Sequence, residues 1–251
     1  MIRPVEILSA LFVACVTCTA CAEESAEELI RAAQAAADQR NDARAVELLD
    51  DATRINPDSA SAYYWRGRSQ FRLGKFDDSL ADFDRYVKLQ PEFASRQWER
   101  GITCYYAGKF AEGARQFQLY QTYHDNDVEN SVWRFLCSAR LQGPNAVEKA
   151  RAEMLPIEND RRVPMMQVYA MYQGDLTPDE VLSAARAGDP SAGQLNTRMF
   201  YACLYIGLYH EVVGDATLAR KFILQAADDH RIGHYMWDVA RIHAERLRGT
   251  P

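Results

Sequence analysis

The sequence predicts an all-α fold of helical hairpins stacked into a superhelix, on three observations. The first is a repeat: YWRGRSQFRLGKFDDSLADF at 64–83 and WERGITCYYAGKFAEGARQF at 98–117 align with a shift of 34. That shift pairs Arg66 with Arg100, Gly67 with Gly101, Gly74 with Gly108, Lys75 with Lys109 and Phe83 with Phe117. The second is that each copy carries two glycines seven residues apart. The third is that no segment alternates apolar and polar residues with the period of two that a strand needs. A single helical hairpin cannot bury its apolar face, whereas stacked copies share a continuous core.

Within the copy that starts at Ala60, Gly67 falls inside the first helix, where glycine costs about 1 kcal/mol relative to alanine. It therefore marks a close approach of the second helix. Gly74 ends the first helix because it takes the left-handed conformation cheaply. Asp77 and Asp78 follow at the positive end of the second helix. Pro57 and Pro91 are also 34 apart, and the unit ending at Pro57 places Ala45 and Ala52 where helices must touch. Regular repeats are thus expected at about 26–57, 60–91 and 94–123.

Degenerate hairpins are expected over 128–187. Val132–Leu141 and Ala146–Leu155 form one, broken at Gly143-Pro144, and Met165–Tyr172 and Val181–Ala187 form the next. Thr177-Pro178-Asp179-Glu180 combines an N-cap, a proline at the first helical position and a capping-box glutamate. AGDPSAGQLN, ending at Asn196, reads as a loop. Gly207 and Gly214, followed by Ala219 and Ala226, mark a further repeat at 197–230, and an amphipathic run at 234–247 caps the array. This pattern resembles the tetratricopeptide repeat.

The 251 residues are 48% hydrophobic and 25% charged, ordinary globular composition. With 29 Lys and Arg against 35 Asp and Glu, the net charge of -6 supplies no chain-wide positive field, which argues against nucleic acid as a partner. Residues 1–22, MIRPVEILSALFVACVTCTACA, have the layout of a signal peptide, with an apolar stretch from Ile7 to Val16 too short for a permanent anchor. Ala20 and Ala22 offer an A-x-A cleavage site. Cys21, after Cys18-Thr19-Ala20, also resembles a lipobox cysteine, although Cys18 stands where a leucine-like residue is expected. Free secretion to the periplasm and a lipid anchor at Cys21 both remain open. Cys15, Cys18 and Cys21 belong to this segment rather than to a metal cluster. Cys104, Cys137 and Cys203 lie in apolar helical runs and read as buried free thiols.

Chemistry-bearing constellations are lacking. There is no H-E-x-x-H, P-loop or G-x-S-x-G motif. His124, His210, His230, His234 and His243 do not converge by spacing, and Gly233 interrupts the face that His230 and His234 could share, so no metal site is expected. His124-Asp125-Asn126-Asp127 lacks the glycine and terminal glutamate of a calcium loop and reads as a solvated turn. Glu23, Glu24, Glu27 and Glu28 read as solvated charge. The sequence predicts no enzyme and no cofactor, and a metal-dependent hydrolase is disfavoured by the missing ligand cluster.

What remains is surface. The first helix of each hairpin lines the concave side, where the second repeat offers Tyr64, Arg68, Phe71 and Arg72 and the third Trp98, Ile102, Tyr105 and Tyr106. Aromatic residues and arginine anchor protein interfaces, but apolar side chains at helical spacing, Trp98 and Phe71 among them, are more often inter-repeat core. Arg68 and Arg72, one turn apart and harder to bury, suit a partner carboxylate. An alternative is a module that clamps C-terminal tails, which would need Lys and Asn where Tyr64, Arg68, Trp98 and Ile102 stand.

Three later blocks, NSVWRFLCSARLQG, MMQVYAMYQGDLTPDEVL and TRMFYACLYIGLYHEVVGDATLARKFILQAADDHRIGHYMWDVARIHAERL, follow YYAGKFAEGARQFQLYQTYHDND in an order that resembles the NlpI-type tetratricopeptide lipoproteins of bacterial envelopes over roughly residues 60–247. The resemblance implies an adaptor, in that family a dimeric scaffold that holds peptidoglycan hydrolases and an envelope protease together.

Overall fold

The computed structural model describes residues 25–141, 143 and 145–249. The expected signal peptide and the candidate lipidation site Cys21 lie outside the described residues. Those described are all-α, with one 3-10 turn at Pro91–Arg96 and no strand. Six hairpins stack in order: α1 (Ala26–Asp38) with α2 (Asp42–Ile55), α3 (Ala60–Arg72) with α4 (Phe76–Leu89), α5 (Trp98–Tyr106) with α6 (Phe110–Tyr120), α7 (Val128–Ala139) with α8 (Ala146–Ala152), α9 (Met165–Gln173) with α10 (Pro178–Arg186), and α11 (Ala192–Val212) with α12 (Ala216–Asp228). α13 (Tyr235–Gly249) follows. No described helix is long and apolar enough to cross a membrane.

The repeated residues have repeated jobs. Gly74 and Gly108 end α3 and α5 at φ 74° and 72°, the left-handed region that favours glycine. Inside the helices the reason is space: a Cβ on Gly101 would lie 2.6 Å from the Phe117 ring, and one on Gly207 would lie 2.8 Å from the Ile223 side chain. Arg66 forks onto Asp82 at 2.7 and 2.8 Å, and Arg100, one repeat later, reaches Gln116 at the equivalent position at 3.2 Å. Each arginine thus fastens the two helices of its hairpin. Thr177 and Glu180 form the expected capping box.

Two elements end differently from the sequence pattern. α8 stops at Ala152 instead of running to Leu155, since Pro156 disfavours helical backbone at the residue before it. α11 starts at Ala192, inside the expected loop, because Ser191 and Gln194 form a capping box of their own.

The core divides in two. A small alanine-rich cluster, including Ala33, Ala45, Leu49 and Ala52, holds α1 and α2 against the start of α3. A larger one begins at Phe71 and runs through Trp133, Tyr172 and Phe200 to Ala244. Cys104, Cys137 and Cys203 are buried free thiols, and burial raises the Cys104 thiol to about 11.

α13 does more than cap α12. Asp238 pairs with Arg40 at 2.5 Å and with Arg72 at 3.0 Å, Arg241 donates to the Arg72 carbonyl at 2.9 Å, and the Tyr235 ring lies 5.4 Å from that of Phe71. The His243 imidazole meets the Tyr106 hydroxyl at 2.9 Å and lies 3.4 Å from Glu211 of α11. The last helix therefore lies against the inner side of α3 and α5 and binds the array's beginning to its end.

Glu211 is half-buried, and although burial opposes its charge, His243, Arg140 and the Tyr105 hydroxyl hold its carboxyl at about 2, below the ordinary 4.5. A depressed acid stabilises the fold above the ordinary carboxylate range and loses that contribution as pH falls from 4.5 towards 2. Glu211→Gln should cost about 2–3 kcal/mol at neutral pH and flatten the acid limb of a stability-pH curve from chemical denaturation. A parental acid limb in the variant would show that Glu211 is not the group responsible.

Candidate functional site

Of the two readings held for the apolar concave-face candidates, contact and inter-repeat core, four take the second: Phe71, Ile102, Tyr105 and Tyr106 are 0%, 1%, 4% and 5% exposed. The physical reason is α13, whose Tyr235 and His243 cover Phe71 and Tyr106, together with Trp133 and Glu211 against Tyr105. Arg72 is not free for a partner either, since Asp42 at 3.1 Å and Asp238 hold it inside the chain. Tyr64 donates to Glu99 at 2.8 Å and packs on Trp65, Phe83 and Tyr86.

Arg68 and Trp98 keep access to open space. Arg68 makes no salt bridge among the described residues: its guanidinium lies over the rings of Tyr235, Trp65 and Tyr64 at 4.9, 5.2 and 5.6 Å, and its buried Nε has no hydrogen-bond partner. Trp98 stacks on the His234 ring, with centroids 6.1 Å apart.

Two clefts meet at His234. The first, about 200 Å³, is lined by Trp98, Tyr120, Asp127, Glu129, Asn130, Trp133, Arg162 and Tyr201 among others. The second, about 340 Å³, is lined by Arg40, Arg68, Arg72 and Arg231 against Asp38 and Asp238. Its charge is positive. Burial, with the charges of Arg68 and Arg162 on either side, lowers the His234 pKa below its ordinary value, so the junction of the clefts tends to be neutral.

In the first cleft Arg162 gathers three carboxylates, reaching Asp127 at 2.6 Å, Glu129 at 2.6 Å and Asp160 at 2.5 Å. Tyr205 donates to the other Glu129 oxygen. Burial, with Asp127 beside it, raises the Glu129 carboxyl to about 7 despite Arg162. A raised acid favours the fold below the ordinary carboxylate range and loses that contribution as pH rises through 7. Among the described residues no group of three or more His, Cys, Asp or Glu side chains is arranged to hold a metal ion.

Sequence reasoning missed most of this cleft. Asp127 and Asn126, read as a solvated turn, are structural. Asp127 caps α7, and Asn126 accepts from the backbone of Glu158 and Asn159 at 3.1 and 3.0 Å, fixing the connection that carries Arg162. Arg162 itself lies in an aperiodic stretch with no signal to find. Trp133 and Asn130 were visible only as members of an apolar helix.

The tetratricopeptide repeat family matches the chain over residues 30–94 and 66–127. The two matches overlap and together span residues 30–127. Modules of this family bind protein partners, and the matched stretch supplies Trp98 and the α5 wall of the first cleft and Arg68 and the α3 wall of the second. Comparison with curated proteins gives no match. Among solved structures, the chain is similar to YrrB, a tetratricopeptide protein with an unusual peptide-binding site, at 15% identity over 89% of this chain and 93% of that one, with a TM-score of 0.47. It is similar to PilW, a type IV pilus biogenesis factor, at 15% identity over 82% and 94%, TM-score 0.47. A third is the C-terminal part of a tetratricopeptide repeat-containing protein from Cytophaga hutchinsonii, at 14% identity over 86% and 74%, TM-score 0.43.

Proposed function

We propose that the chain is a non-enzymatic interaction scaffold that docks a partner's peptide segment in the concave groove, with an acidic residue of the partner on Arg68. The observation that carries this is Arg68: a half-buried guanidinium with no salt bridge among the described residues, linked to buried Glu99 only through the Tyr64 hydroxyl and with its Nε unpaired, in a cleft lined by four arginines and two aspartates. A guanidinium fork offers paired donors to a carboxylate, and the rings around it suit an adjoining apolar side chain.

The narrower proposal is an exported adaptor, freely periplasmic or lipid-anchored at Cys21, that gathers cell-wall hydrolases or an envelope protease, with self-association into a homodimer. It rests on the signal-like first residues and on the NlpI-type order of blocks in the sequence. A chain-terminal carboxylate would suit Arg68 as well as an aspartate side chain does, so tail recognition is kept as the second reading.

The test is selection of displayed peptides on the folded chain, followed by calorimetry with the selected peptides as free acids and as amides. Acidic peptides should emerge, and Arg68→Ala should weaken them at least tenfold, about 1.4 kcal/mol, with helical content unchanged. Affinity that survives amidation assigns an internal acid; affinity that does not assigns a tail. Arg72 is left out of the test because its loss would loosen α13. An unchanged dissociation constant in Arg68→Ala would remove this site.

A further inference from the structure

We propose that the first cleft is a second docking subsite, built to receive a lysine or arginine side chain of the partner's segment. This inference rests on the groove reading above and adds the residue type at its far end.

Three independent features of the cleft converge on that ligand. The first is a pair of buried polar atoms without partners. Asn130 donates from Nδ2 to Gln121 at 2.8 Å, which leaves its Oδ1 unpaired. Trp133 Nε1 is likewise buried and unpaired. These residues are 3% and 1% exposed, and both line the cleft. Native proteins keep few buried polar atoms unpaired, so an unpaired acceptor and an unpaired donor on two residues lining one cavity fit a ligand carrying both N–H and C=O groups. A peptide residue carries both.

The second is charge. The one guanidinium of Arg162 is shared by Asp127 and Glu129 of the lining and by Asp160 behind it, so even with the raised Glu129 carboxyl protonated two carboxylates stand against one guanidinium. A second cation is favoured there, and an anion is not.

The third is the wall. Trp98, Tyr201 and Trp133 line the cavity, and aromatic faces attract a desolvated ammonium or guanidinium while packing on its alkyl stem. The volume of about 200 Å³ is below the roughly 300–1,000 Å³ typical of small-molecule pockets, which fits one side chain rather than a larger ligand.

The two clefts thus carry opposite charge on either side of His234, so the groove has a polarity: acid on Arg68, base on Asp127 and Glu129. The experiment is NMR on the nitrogen-15-labelled chain, following its four tryptophan indole N–H signals, with that of Trp133 assigned by Trp133→Phe. The probes are the capped tripeptides acetyl-Gly-Lys-Gly-amide and acetyl-Gly-Arg-Gly-amide, with acetyl-Gly-Gln-Gly-amide as the neutral control and free lysine as the small-amine control.

The basic peptides should shift the Trp133 indole signal saturably and the glutamine peptide should not. Glu129→Gln and Asp127→Asn should each weaken the effect at least tenfold with helical circular dichroism retained. Should Glu129→Gln fail to fold, Asp127→Asn alone decides. A shift equal for lysine and glutamine peptides, no saturable shift, binding of free lysine without the capped peptides, or full binding in a folded Asp127→Asn chain would each overturn the proposal. Peptides selected through Arg68 that carry no basic residue would overturn it too, while leaving the scaffold reading standing.

Discussion

Asp238→Ala should destabilise the folded chain by about 3 kcal/mol, the lower end of what breaking a buried ion pair costs. The carboxylate is 6% exposed and holds Arg40 at 2.5 Å and Arg72 at 3.0 Å. Removing it strips both guanidinium groups of a partner. Arg72 keeps Asp42 at 3.1 Å, and Arg40, about one-third exposed, can turn to water, which keeps the loss from being larger. The change should appear as a lower urea midpoint. A midpoint equal to the parent's would mean that the apolar face of α13, through Tyr235 and Val239, holds the helix alone.

Gly101→Leu should cost a comparable amount, about 3 kcal/mol or more, at the upper end of overpacking effects. A Cβ there would stand 2.6 Å from Phe117 Cζ and 2.9 Å from two further ring carbons. Phe117 is 1% exposed and stacks on Trp133 at 6.4 Å, so its ring cannot swing away without disturbing the first cleft. Gly67 is the milder case. Its would-be Cβ meets the Ser79 carbonyl oxygen at 3.2 Å and the Phe83 ring at 3.4 Å, so Gly67→Leu should cost about 1–3 kcal/mol. Thermal denaturation of both variants gives the ranking. Gly67→Leu proving the worse would show that the contact at Gly101 relaxes more easily than its geometry implies.

The hairpins were legible because their signals are local. Gly74 needs a left-handed backbone, Gly67 and Gly101 need a missing side chain, and Thr177 and Glu180 cap each other across three residues. The site was legible only in part because what shapes it is not local. Nothing in 234–247 says that this amphipathic run lies against α3 and α5 rather than merely on the preceding helix, so the core fate of Phe71 and Tyr106 was left open beside a docking role. Arg68 was singled out because an arginine is hard to bury, and it keeps its access to the cleft. Arg72 was chosen for the same reason, but its partners Asp42 and Asp238 are 30 and 166 residues away in the chain. Arg162 stands in the connection between α8 and α9, where no periodicity announces a role.

The placement of α13 also bears on how the chain assembles. An open solenoid folds by nearest-neighbour propagation and can fray from either end. Here the Arg40–Asp238 bond joins positions 198 residues apart, so closing it fixes nearly the whole described chain into one loop, and such distant contacts slow the final step of folding. On the ribosome the first hairpins emerge long before their last partner does. Until α13 has emerged and docked, Phe71 and Tyr106 present an aromatic face that the finished molecule conceals beneath Tyr235 and His243.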